Sequence, residues 1–179
     1  KKSNSFLVEN VRVTIDLKKN TKETVSENIV ALVEGSDPDL KNECVVFMAH
    51  YDHLGVDKTG DVFNGADDNG SGAVALLEIA EAFAALDQKP KRSIVFLWVT
   101  AEEVGMLGSK FYTENPLFPM VKTKACINLD MVGRVFEPRD TVWNRSPKKV
   151  KDFDGIFAVT NNVWPALKEK TITACNKTG

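Results

Sequence analysis

Three stretches of this chain, CVVFMA (44–49), SIVFLWV (93–99) and ACINL (125–129), are continuous apolar runs. A strand that shows one face to water alternates, whereas an unbroken run reads as a strand covered on both faces. Such strands need helices above and below, and the intervening sequence supplies them. Leu76, Leu77, Ala80, Phe83 and Ala84 recur at three- and four-residue spacings, with Glu78 and Glu81 on the other side. A shorter helix is predicted around Met106 to Thr113. Pro90 closes the first helical segment, and Pro116 and Pro119 follow the second. Strand, helix, strand, helix, strand is the layout of a three-layer α/β/α fold with a mostly parallel mixed central sheet. Upstream, Val11, Val13, Ile15 and Leu17 alternate with Arg12, Thr14, Asp16 and Lys18. With turn residues at 20–23 and a second strand through Val25 to Val33, this predicts an N-terminal antiparallel hairpin.

Beyond Gly133 the pattern weakens. GRVFEPRDTVWNRSP reads as a loop excursion, GIFAVTN as a further strand, and Trp164-Pro165 as the opening of a final helix with proline in the tolerated first turn. The 179 residues fit one domain, taken as 1–179. The first residues, KKSNSFLVEN, carry neither an initiator methionine nor a signal-peptide core, so the expectation is a domain shortened from something longer. A net charge of −2 with 27% charged residues provides no broad basic field, which argues against nucleic acid and anionic membranes as partners. The basic run Pro147-Lys148-Lys149-Val150-Lys151 reads as a solvated loop. No apolar stretch approaches the ~20 residues that span a bilayer. Three cysteines cannot all pair, and Cys44 and Cys126 lie inside apolar runs, where a free thiol behaves as a small hydrophobe.

Each apolar run ends in residues able to bind a metal. CVVFMA leads into His50-Tyr51-Asp52-His53, SIVFLWVT into Ala101-Glu102-Glu103, and ACINL into Asp130. Open α/β sheets bind ligands at the carboxyl ends of their strands, so three strands deliver their polar chemistry to one edge. Taken singly, a structural histidine, a solvated helix start and a capping aspartate would explain these residues. Their coincidence beside ADDNGSG (66–72), with its adjacent acids Asp67 and Asp68, argues for a site. Imidazole nitrogen with carboxylate oxygen and no cysteine suits zinc or another divalent first-row metal. One acid of the pair can bridge two ions ~3.5–4 Å apart, while the other caps the helix or holds the loop. Of Glu102 and Glu103, one can ligate metal and the other can act as general base. An EF-hand reading of Asp67-x-Asn69-x-Ser71-Gly72 with Glu78 fits the spacing of a calcium loop. It lacks an entering helix, because TGDVFNGA carries Gly60 and Gly65, and it leaves His50, Glu102, Glu103 and Asp130 unexplained.

In order, AHYDHLG, NGADDNGSGA, TAEEVGMLGS and NLDMVGR resemble the signature blocks of the co-catalytic zinc aminopeptidases, the clan that includes bacterial leucyl aminopeptidases and glutamate carboxypeptidase. The blocks span residues 49 to 134. The resemblance implies a zinc-exopeptidase-like fold and two zinc ions. His50 and Asp130 would bind one ion, Glu103 the other, and Asp68 both, with a cis peptide from Asp68 to Asn69. Asp52 would orient His50. Glu102 would be the general base, relaying a proton from the attacking water to the departing amine. The reaction implied is hydrolysis of the N-terminal bond of a peptide with a free N-terminus, in a protein secreted or held in a periplasm.

Two features depart from the family pattern. His53 has no place in the implied ligand set. A further histidine normally completes the Glu103 ion, whereas only His50 and His53 occur here, so that site is expected to be weak without another donor. A carboxypeptidase or glutaminyl cyclase on the same scaffold is the enzymatic alternative, although a cyclase uses one zinc and departs from the DDNGSG form. A non-catalytic binding module of the same fold is the other alternative, set against retention of all five of His50, Asp68, Glu102, Glu103 and Asp130.

Overall fold

The computed structural model describes residues 9–134, 159–160 and 164–178. Its centre is a four-stranded mixed sheet of β1 (Ile29–Val33), β2 (Cys44–His50), β5 (Ser93–Val99) and β6 (Thr123–Asn128), in the order β1-β5-β2-β6. β2 runs parallel to both β5 and β6, and β1 pairs antiparallel with β5. β3 (Gly55–Val56) and β4 (Val62–Phe63) form a separate small hairpin.

All seven residues of β5 are buried, as an unbroken apolar run requires. Its side chains divide between two cores. Val95, Leu97 and Val99 pack with Cys44, Val46 and Tyr112 on the side of α2 (Leu107–Glu114). Ile94, Phe96 and Trp98 pack with Ala49 and Leu76 on the side of α1 (Gly72–Ala84). Phe47, Phe83 and Phe96 meet there with ring centroids 5.7–5.9 Å apart, and the Trp98 indole N–H donates to the Ala73 carbonyl at 3.0 Å. Helices therefore cover both faces, giving the expected three layers.

The expected N-terminal hairpin does not form. Residues 11–28 carry no strand, and Val11, Val13, Ile15 and Leu17 are exposed. An alternating strand is stable only with an apolar surface beneath it, and an isolated two-stranded hairpin is marginal in water. β1 instead takes the free edge of β5, with Ile29 opposite Trp98 and Val33 opposite Ile94. β6 also differs from expectation. It is the outer strand among the described residues, pairs with β2 alone, and leaves Ile127 exposed. Leu77, placed by periodicity on the core face of α1, is exposed beside the fully buried Leu76.

α3 (Pro165–Thr178) begins at the predicted proline. The basic run at 147–151 and most of GIFAVTN lie outside the described residues. None of the three cysteines is in a disulfide, and no helix among the described residues is long and apolar enough to cross a membrane.

The chain runs from β2 through α1 to β5 and then returns past β2 to reach β6. That reversal makes a topological switch point at the carboxyl ends of the parallel strands, the usual binding position in such sheets.

Candidate metal centre

Sheet register sets the level of the first candidate ligands. β2 and β6 pair Met48 with Asn128, and the Leu129 N–H donates to the Met48 carbonyl at 2.8 Å, so two further residues bring Asp130 level with His50. His50 is buried, and its Nδ1 lies 3.1 Å from the Asp52 carbonyl oxygen. Because a carbonyl only accepts, Nδ1 carries the proton, and in the neutral ring Nε2 presents a lone pair. That nitrogen faces Asp68 Oδ1 at 3.3 Å and Asp130 Oδ1 at 3.7 Å. Charge-assisted N–H···O hydrogen bonds close to about 2.7–2.9 Å. Two donors bonded to one tetrahedral ion at about 2.0–2.2 Å stand roughly 3.3–3.5 Å apart. The 3.3 Å gap falls in that range and the 3.7 Å gap lies just above it, both longer than a close charge-assisted hydrogen bond.

Asp68 reaches this position through an unusual turn. Residues Ala66–Ser71 coil tightly, but Asp68 (φ −105°, ψ 92°) and Asn69 (φ −128°, ψ 41°) leave the helical region, and the bond between them is cis. The buried Asn69 side chain then ties two segments together. Its Oδ1 accepts from the Gly72 N–H at 3.1 Å and the Met131 N–H at 3.2 Å, while its Nδ2 donates to the Leu129 carbonyl at 2.9 Å. Gly72 is required at this crossing, because a Cβ there would strike Asn69 Oδ1 and the Leu129 carbonyl.

Asp67 is the other acid of the adjacent pair. Its Oδ1 accepts from the Gly133 N–H at 3.1 Å and from Ser71 Oγ at 3.2 Å, and its Oδ2 accepts from Arg134 Nε at 2.9 Å. Of the two roles open to it, holding the loop is the observed one.

Glu102 and Glu103 sit in the turn between β5 and α2. Ala101 before them adopts φ 55°, and the Glu102 carbonyl accepts from Gly105 and Met106 N–H groups at 2.9 and 2.8 Å. The Glu102 N–H donates to Asp52 Oδ1 at 3.1 Å. Asp52 thus contacts His50 through its carbonyl, since its carboxylate stands 3.6 Å from Nδ1, and uses the carboxylate to fix the Glu102 backbone. Burial raises the proton affinity of the Glu102 carboxyl; His50 opposes this, and Glu103, Asp130 and Asp52 add to it. Asp130 is likewise raised, chiefly by burial, with His50 opposing and Asp68 and Glu103 adding.

Two groups of donors result. His50, Asp68 and Asp130 offer ligand atoms all within 4.8 Å of one another, and so do His53, Asp68 and Glu103. Asp68 belongs to both. The sequence assigned a ligand role to every one of these residues except His53, which it noted after the first apolar run but left outside the ligand set; its Nδ1 lies 2.7 Å from Glu103 Oε1. The signal was its place at the end of β2, three residues after His50. Asn69 and the loop-holding set of Ser71, Gly133 and Arg134 were also missed, having no pattern that links residues some sixty positions apart.

Fold and site together define an α/β protein whose sheet edge gathers two groups of residues that could each hold a cation, with one carboxylate common to both. The sequence model of Peptidase family M28 matches residues 28–172, and the chain belongs to that family. It is 33% identical over 132 residues to leupeptin-inactivating enzyme 1 of Streptomyces exfoliatus, covering 73% of this chain and 28% of that protein. It is 30% identical to aminopeptidase YwaD of Bacillus subtilis, covering 100% of this chain and 34% of that protein. Among solved structures, the Peptidase M28 precursor of Shewanella amazonensis SB2B superposes with a TM-score of 0.50 at 32% identity, covering 57% of this chain and 22% of that one. The chain therefore spans about a quarter to a third of the curated relatives' length.

Proposed function

We propose that this chain forms part of the catalytic domain of a zinc-dependent aminopeptidase. The observation that carries the reading is the position of Asp68 in both donor groups, the arrangement a carboxylate adopts when it bridges two ions. The donor set fits zinc, since it offers imidazole and carboxylate without thiolate and the 3.3 Å between His50 Nε2 and Asp68 Oδ1 is the separation of two donors on one tetrahedral ion. His50, Asp68 and Asp130 would hold one ion, and Asp68 with Glu103 the other. When bound, the ions would polarise the scissile carbonyl and lower the pKa of the attacking water.

The chain's own residues supply the rest. Asp52 fixes the proton of His50 on Nδ1 and, through the Glu102 N–H, ties that imidazole to the base. Glu102 takes a proton from the attacking water and returns it to the departing amine. Its raised proton affinity suits a group that must first accept and then donate. The free α-amine of the substrate would meet the carboxylates of this edge, which marks an N-terminal residue as the one removed. Names of relatives accord with this: YwaD is an aminopeptidase. A secreted or periplasmic location belongs to the same reading, and cell fractionation tests it.

The direct test is release of a chromogenic amine from aminoacyl anilides by the full-length protein. Activity should vanish with chelator and return with zinc. Glu102→Gln should lower kcat by about 10²–10⁴ while zinc content stays unchanged. Activity indifferent to chelation, or cleavage confined to peptides with a free C-terminus, would contradict the proposal.

A further inference from the structure

His53 has no part in the ligand set inferred from the signature blocks, yet it is closely held. Its ring meets Phe63 edge-on at 6.5 Å. Gly65, at φ 67°, lies so near that a Cβ there would come within 2.9 Å of His53 Cβ. The side chains of His53 and Glu103 are only 20% and 18% exposed, and they meet at 2.7 Å.

Separation decides between two roles. The gaps around His50, 3.3 and 3.7 Å, leave room for an ion, whereas 2.7 Å is the length of a charge-assisted hydrogen bond. Direct ligation by both atoms at a tetrahedral ion would need them to separate to roughly 3.3 Å. We propose that His53 is a positioning residue, its Nδ1–H donating to Glu103 Oε1 and fixing the carboxylate that, on the reading above, holds the second ion with Asp68. The segment Phe63–Gly65 forms the wall that keeps the imidazole in line.

Zinc titration of the full-length protein, followed calorimetrically for wild type, His53→Leu and His53→Asn, tests this. Wild type should take two equivalents. His53→Leu should bind the first as wild type does and the second about 10–100-fold more weakly. His53→Asn keeps a donor at the place of Nδ1 and should recover most of that loss. In zinc-loaded wild type, nitrogen-15 spectra should show His53 Nδ1 still protonated, a readout that needs no variant to fold. Equal second-site affinity in His53→Leu, no recovery in His53→Asn, or loss of the Nδ1 proton to direct ligation would each overturn the assignment. A wild type that binds fewer than two equivalents would instead overturn the two-ion reading on which it rests.

Discussion

Asn69 shows how much of the centre depends on one side chain outside the donor groups. It is buried and joins the turn that presents Asp68 to the residues flanking Asp130. Asn69→Ala would strand the Gly72 and Met131 N–H groups and the Leu129 carbonyl. An unmade buried hydrogen bond costs about 1–3 kcal/mol, so urea denaturation should show a loss of at least about 2 kcal/mol, and zinc affinity at the His50 group should fall with it. An unchanged midpoint would contradict the assigned role. At this scale the sequence was legible where chemistry is explicit. His50, Asp68, Glu103 and Asp130 are residue types that bind cations, and each follows a recognisable strand or glycine-rich turn. Partnership was not legible. Asn69 looks like any turn residue, and its carbonyl partner is sixty positions away. Ala101 and Met131 adopt positive φ without being glycine or asparagine, so nothing in their identity announces the bends beside Glu102 and Asp130.

Among the elements, the parallel strands are pinned at the edge opposite the centre. Glu43, just before β2, accepts from Arg92 Nε and Lys124 Nζ at 2.8 Å each, while its carbonyl accepts from the Ser93 N–H. The Lys124 and Arg92 hydrogen bonds, in that order, hold its carboxyl below the ordinary glutamate value. A lowered folded value means stability that is fully present above the unfolded value and is lost as pH falls through the folded one. The stability difference between wild type and Glu43→Gln should therefore be largest at neutral pH, shrink on acidification below the glutamate range, and weaken in 1 M salt. Denaturation across a pH series checks this, and a pH-independent difference would contradict it. Local pattern foretold β2, β5 and α1 because both faces of the strands and one stripe of the helix are buried. It failed for residues 11–17, where alternation shows what a strand could bury but not whether a surface waits beneath it. β5 offered its free edge to β1, and period-2 patterning carries no information about that choice.

Across the whole molecule, topology converts separate chain segments into one site. The return from β5 past β2 to β6 brings the ends of three parallel strands together, and the cis-linked turn before α1 adds Asp68 between them. The order of the strands could not be read from the runs themselves, yet the recurrence of metal-binding residues after each run made their convergence predictable. Anomalous diffraction at the zinc edge from crystals of the full-length protein tests the central claim most directly. The account predicts a peak bonded at about 2.0–2.2 Å to His50 Nε2 and to oxygens of both Asp68 and Asp130. A zinc-saturated crystal with no ion shared by those three side chains would contradict it.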